Sequence, residues 1–200
     1  TENKTGRTIT NTHYFIDGGD VGDEYVYSPP VSDSVISTLN SHPLVSLEQN
    51  GPLYGEYKIT YEMVLPAGSD EKGYARSTNT VTNIIESSIV LRKGSKILEI
   101  VTTITNKARD HRTRVCLPTD IYTDFAYAES HFDVVKRSLE VIQPASEAWI
   151  ENATGAASQK RFIFLSDDQH GLAVFNQGIP EYEVIKEHSA CTAYLTLLRS

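Results

Sequence analysis

The sequence predicts an all-β protein built as a large antiparallel β-sandwich, and three observations predict it. Short runs alternate apolar and polar residues with period two along most of the 200 residues, while helical periodicity is almost absent. Val, Ile, Thr and Tyr dominate these runs, as a pleated, half-buried surface prefers. Turn chemistry separates them, in "QNGP" (49–52), "RKGSK" (92–96), "NKARDH" (106–111) and "DDQHG" (167–171). Roughly ten strands at a spacing of about 10 to 15 residues favour an antiparallel sandwich over a βαβ fold. With no composition shift, repeat or linker to divide it, the chain reads as a single domain over residues 1–200.

Along the chain, "FIDGGDVGDEYVYSPP" (15–30) comes first, with Asp17, Asp20, Asp23 and Glu24 set among three glycines. It lacks the alternating Asp/Asn pattern and closing bidentate Glu of a helix-loop-helix calcium site. A glycosidase pair would need a second acid across a gap of roughly 5 to 9 Å, a separation that sequence does not show. The expectation is a tight turn whose carboxylates accept backbone N–H bonds: a rigid, acceptor-rich loop of the kind that hydrogen-bonds sugar hydroxyls. The Pro-rich segment 27–38 then reads as a long connection. In "GEYKITYEMVLP" (55–66), Tyr57, Ile59, Tyr61 and Met63 fall on one face and Glu56, Lys58, Thr60 and Glu62 on the other. In "KILEIVTTITN" (96–106), Leu98, Ile100, Thr102 and Ile104 share a side. Further strands are predicted at 80–92, 112–117, 121–127, 133–142, 160–166, 171–176, 181–187 and 191–198. Residues 144–159 read as a surface loop anchored by Trp149.

Composition narrows the function. A net charge of −8 and a pI near 5.2 oppose binding to nucleic acid phosphates or to an anionic membrane surface, and suit a neutral substrate. Cys116 and Cys191 are too few and too far apart for a repeated Cys-x-x-Cys zinc site, and read as buried free thiols of a reducing compartment, with one disulfide as the alternative if their two strands lie side by side. No stretch reaches the roughly 20 apolar residues of a membrane span. The chain opens at Thr1 without a Met, as an excised piece would. Asn3-Lys4-Thr5 and Asn152-Ala153-Thr154 match the glycosylation sequon, a triplet common by chance.

The isolated motifs are weaker. His131-x-Asp133 would put two metal ligands on one strand face, but zinc needs three or four, and the expected reading is a polar face of an edge strand. His111 and His170 read as exposed turn histidines. Arg112 and Arg114 would share a strand face and pair with surface acids. Neither a G-x-S-x-G elbow nor a phosphate-binding G-x-x-x-x-G-K-[ST] loop occurs.

Five phrases, in order, carry a resemblance: "DGGDVGDEYVYSPP" (17–30), "NGPLYGEYKITYEMVLP" (50–66), "TNKARDHRTRVCLPTD" (105–120), "HGLAVFNQGIPEYEV" (170–184) and "LTLLRS" (195–200). Together the sequence resembles the C-terminal β-sandwich region of glycoside hydrolase family 38, the α-mannosidases. The "GDEY" form is closer to the bacterial and cytosolic branch, which includes mannosylglycerate hydrolases. The resemblance implies a galactose-mutarotase-like supersandwich, truncated at both ends, that follows an α/β catalytic barrel and a helical segment of the same polypeptide. It implies a retaining, cytoplasmic enzyme of bacterial type acting on α-mannosides through an Asp nucleophile, an acid/base carboxylate and a zinc ion. The motifs for those groups belong to upstream domains and match nothing here. No catalytic or metal-binding residue is therefore expected in this chain; zinc or another divalent metal is expected in the absent catalytic domain. By the same likeness Asp20, Asp23, Glu24 and Tyr25 would form a turn at the active-site rim or the interdomain face. Two other readings stand beside this one. A free-standing carbohydrate-binding module would use exposed aromatic platforms, with Trp149 and the eleven tyrosines as the supply. A mutarotase-like epimerase would need a His acid and a Glu base in one cleft, with His111, His131 and His170 as candidates.

Overall fold

The computed structural model describes residues 5–142 and 154–200. Trp149, most of its loop and the sequon asparagines Asn3 and Asn152 lie outside the described residues. Among those described there is no helix, and every strand pair of the three sheets with an assigned register runs antiparallel. The strands are β1 (Tyr14–Gly19), β2 (Ile36–Ser37), β3 (Leu44–Asn50), β4 (Tyr54–Pro66), β5 (Thr80–Arg92), β6 (Leu98–Thr105) and β7 (His111–Pro118). They continue with β8 (Phe125–Glu129), β9 (Val134–Ser138), β10 (Ala156–Ser158), β11 (Phe162–Ser166), β12 (Gly171–Phe175), β13 (Glu181–Lys186) and β14 (Cys191–Arg199). The chain forms two compact units, residues 1–15 with 113–198, and residues 16–112 with 199–200.

In the first unit, strands follow the order β10-β13-β14-β7-β1, and a second sheet runs β12-β11-β8-β9. Alternation drives both. Tyr182 and Val184 of β13 and Ala126, Ala128, Ile163 and Leu165 of β8 and β11 are buried, while Phe125 and Phe175 on the other face are exposed. Arg137 of β9 reaches across to Tyr182, its Nη1 donating to the phenol oxygen at 3.3 Å. Cys116 and Cys191 are both fully buried and unbonded to each other, as the sequence predicts. Burial pushes the Cys116 thiol up to about 12. Arg114 pairs with Glu183 at 2.5 Å, but this pair is mostly buried rather than on the surface.

The second unit is organised by the sheet β3-β4-β5-β6. β4 and β5 pair over their whole length, from Tyr54–Arg92 to Pro66–Thr80. Tyr61, Met63, Leu65 and Ile85 form its buried end. Tyr57, on the same β4 face, is half exposed, so the predicted alternation is right while the burial stops part-way along the sheet. β2 pairs with Ile16 and Asp17 of β1. The stretch 17–19, expected as part of a turn, is therefore strand.

Candidate functional site

The second unit gathers the acidic stretch around two buried arginines and a buried histidine. Asp17, in β1, is fully buried, and its Oδ1 lies 2.5 Å from Arg76 Nη2 while its Oδ2 lies 2.6 Å from His111 Nδ1. His111 is fully buried at the start of β7, not an exposed turn histidine. Its Nε2 sits 3.0 Å from Asn106 Oδ1, an oxygen that also accepts from Asn83 Nδ2 at 2.8 Å and the Ala108 amide at 3.1 Å. Both ring nitrogens thus lie within hydrogen-bond distance of side-chain oxygens, which fix the ring in place. This explains why charged residues sit inside a strand: each is matched by a partner far away in sequence. A buried ion held by hydrogen bonds is tolerated where a lone one is not.

Gly19 follows because nothing larger fits. A Cβ there would lie 2.7 Å from the Pro30 ring and 3.1 Å from Arg76 Cγ. The Gly19 amide donates to Asp33 Oδ2 at 3.0 Å, so the Pro-rich segment closes back on β1.

Residues 20–28 then form a stitched loop, and here the expected carboxylate-to-amide bonding is found. Asp20 Oδ1 accepts from the Gly22 and Ser28 amides, each at 3.1 Å, and the Val21 amide donates to the Ser28 carbonyl at 2.8 Å. Asp23 Oδ1 accepts from the Val26 amide at 2.7 Å and the Tyr25 amide at 2.9 Å. Those two amides, Val26 first, hold the Asp23 carboxyl below its ordinary value of 3.8. Arg199, the last residue of β14, pins the whole turn. Its Nε donates to Asp20 Oδ2 at 2.6 Å, and its Nη2 donates to the carbonyls of Asp23 at 2.9 Å and Val26 at 3.0 Å. The Arg112 guanidinium, also buried rather than surface-paired, lies 3.3 Å from the Tyr27 ring centroid and braces the return strand of the loop. Asp110 anchors the base: its carbonyl accepts from the Asp20 amide at 2.9 Å, and its Oδ2 accepts from Ser69 N and Oγ at 2.9 and 2.7 Å.

The four rim candidates therefore divide. Asp20 and one oxygen of Asp23 are used to shape the loop, whereas Glu24 is exposed and Tyr25 is 82% exposed. The loop's chemical offering is a phenol and a carboxylate displayed on a rigid backbone. The sequence reading assigned no role to Arg199, Arg76 and Asn106; Arg199, inside "LTLLRS", and Asn106, inside "TNKARDHRTRVCLPTD", carried a signal, while Arg76 carried none.

The remaining motifs supply no second site. His131 and Asp133 lie in the β8–β9 turn rather than on a strand face, with Asp133 Oδ1 accepting from the Val134 amide at 2.7 Å. Period-two logic therefore does not apply to them. His170 closes the β11–β12 turn, its amide donating to Asp167 Oδ1 at 2.7 Å. Among the described residues no group of three or more His, Cys, Asp or Glu is placed to hold a metal ion, and no helix is long and apolar enough to cross a membrane.

The C-terminal domain profile of glycosyl hydrolases family 38 matches residues 1–200. The chain belongs to this family. It is similar over its whole length to an alpha-mannosidase from Enterococcus faecalis V583, with 32% identity and a TM-score of 0.88, and covers 23% of that chain. A second Enterococcus faecalis structure of glycosyl hydrolase family 38 gives 30% identity and a TM-score of 0.86, with 24% of that chain covered. A "Putative mannosylglycerate hydrolase" of Halalkalibacterium halodurans is 24% identical over 98% of this chain and 22% of its own length. This family 38 chain thus spans under a quarter of the length of these relatives.

Proposed function

We propose that this family 38 domain is the non-catalytic C-terminal sandwich of a retaining, zinc-dependent α-mannosidase. It packs on the catalytic barrel of the same polypeptide and lends the 20–28 loop to the rim of the active site. The nucleophile, the acid/base carboxylate and the metal reside in that barrel; terminal α-mannosides or mannosylglycerate are the substrate class, and the enzyme works in the bacterial cytoplasm. The supporting observation is the loop itself. An anionic turn fixed by Arg199, Asp20 and Asp23 holds Tyr25 and Glu24 in solvent at little further entropic cost, which is what a group that orients a sugar hydroxyl requires. His111, one of the three acid candidates of an epimerase reading, is fully buried between Asp17 and Asn106, which speaks against that role.

The test is kinetic, in the whole enzyme. Tyr25→Ala and Glu24→Gln should lower kcat/KM for an aryl α-mannoside about ten-fold or more, the equivalent of one lost hydrogen bond to a sugar, with thermal stability unchanged. Wild-type kinetics in both variants would remove the rim role.

A further inference from the structure

The four-stranded sheet β12-β11-β8-β9 of the first unit turns unlike chemistry to its two sides. Ala126, Ala128, Ile163 and Leu165 line the inner side and are buried. The outer side carries Phe125, Tyr127, Phe162, Phe164 and Phe175 in adjacent cross-strand rows, with Lys136 and Glu129 among them; small residues and Val134 complete it. Of the chain's six phenylalanines only Phe15 is buried; four lie on this side, and the sixth, Phe132, is fully exposed in the β8–β9 turn. Phe132 holds a φ of 63°, a left-handed conformation that strains a bulky residue.

The rings on the sheet are not equivalent. Lys136 Nζ lies 3.9 Å from the Phe125 centroid and 5.9 Å from that of Tyr127, so a cation already attends those rings. Phe164 lies against Gly171, where a Cβ would come within 2.9 Å of its ring. Phe162 and Phe175 stand opposite each other on β11 and β12, with centroids 5.9 Å apart and planes at 49°. They form a shallow cleft about as wide as one pyranose ring, and Phe175 is 68% exposed. Arg161 precedes Phe162, and its carbonyl accepts from the Asn176 amide, next to Phe175, at 2.8 Å. Glu129 fixes the guanidinium: Nε donates to both of its carboxylate oxygens at 3.1 Å, and Nη2 donates to Oε1 at 2.7 Å. The Arg161 side chain is still 71% exposed, so a pre-oriented fork remains open to solvent.

We propose that the Phe162–Phe175 cleft, with the Glu129–Arg161 pair beside it, binds a neutral oligosaccharide containing α-mannose. The negative ring faces attract the polarised C–H groups of a sugar, and the held guanidinium donates to its hydroxyls. A protein partner suits this side poorly. Interface centres are depleted in Lys and Glu, and apolar cover over the Glu129–Arg161 pair would cost its hydration. Sugar hydroxyls replace that hydration with hydrogen bonds. The choice of mannose rests on the mannosidase reading above; the cleft itself does not involve the 20–28 loop, which belongs to the second unit.

The test is carbene footprinting of the whole enzyme with an S-linked α-mannotrioside, which resists hydrolysis, and with maltotriose as the control sugar. In the unmutated enzyme Phe162 and Phe175 should be labelled without sugar and protected by the mannotrioside, but not by maltotriose. The mannotrioside concentration that half-protects Phe162 should rise about ten-fold in Phe175→Ala, the loss of one stacked ring, and stay unchanged in Phe125→Ala. Rings unlabelled before sugar is added would show that the polypeptide itself covers them. Labelling that rises on dilution would assign them to a second copy. Either result overturns the proposal, as do equal protection by maltotriose, no protection by the mannotrioside, or an unshifted midpoint in Phe175→Ala. Hydrolysis of an aryl α-mannoside by the same preparation tests the mannosidase reading separately.

Discussion

Replacing Asp17 by Ala removes the one carboxylate between Arg76 and His111, and its cost can be worked from the cluster. The Asp17, Arg76 and His111 side chains are 0, 5 and 0% exposed, so no water can take over the lost interactions. Arg76 Nε, and Asp33 Oδ1 close by, are already buried without a hydrogen-bond partner, so nothing in the cluster is spare. Breaking a buried pair by deleting one member costs about 3 to 5 kcal/mol, most of it the uncompensated charge left behind. With a urea m-value near 2 kcal/mol/M, the midpoint of unfolding should fall by about 1.5 to 2.5 M. The cluster stabilises through matching, not through charge as such. The triple replacement Asp17→Leu, Arg76→Met, His111→Leu should therefore recover most of that loss. Urea unfolding followed by far-UV circular dichroism and tyrosine fluorescence reads both variants. A loss below about 1 kcal/mol for Asp17→Ala, or a triple variant no better than the single one, would refute the reasoning.

Three further outcomes follow from the same geometry. Arg199→Ala removes three donors from the 20–28 loop, and hydrogen exchange at the Val21 and Ser28 amides should accelerate about ten-fold or more, with Arg199→Lys restoring little because an ammonium cannot span three acceptors in a planar fork. Asp110 is held below its ordinary 3.8 chiefly by the Ser69 amide and hydroxyl, so it stabilises the fold above that pH and loses this as pH falls through its depressed folded value. Asp110→Asn should flatten the acid limb of the stability profile below about pH 4. The Cys116 thiol, raised to about 12, and the equally buried Cys191 should resist a disulfide-exchange reagent at pH 8 until urea unfolds the chain.

How far the fold was legible depended on where each strand's partners lie. β5 is predicted and found at 80–92, because its alternation is local and its turns are marked by Gly and Asn. β11 to β14 agree within two residues for the same reason. β3 was missed because an edge strand exposed on both faces carries no period-two signal. β1 was misread because Asp17 and its glycines have turn composition. What makes them strand is a pair of buried partners 59 and 94 residues away, at Arg76 and His111, which no window detects. The site shows the same division. The acidic stretch was found from its own residues, and its amide bonding followed from local chemistry. The separation of Asp20 and Asp23, turned to the scaffold, from Glu24 and Tyr25, turned to solvent, depends on Arg199, 179 residues from Asp20.

The claim that this domain supports chemistry performed elsewhere in its polypeptide is tested most directly by assaying the 200-residue chain against the whole enzyme. With an aryl α-mannoside and added zinc, and with circular dichroism confirming the strand content of the fragment, the whole enzyme should turn over while the fragment stays at the uncatalysed rate. Metal-stimulated hydrolysis by the fragment alone would contradict it.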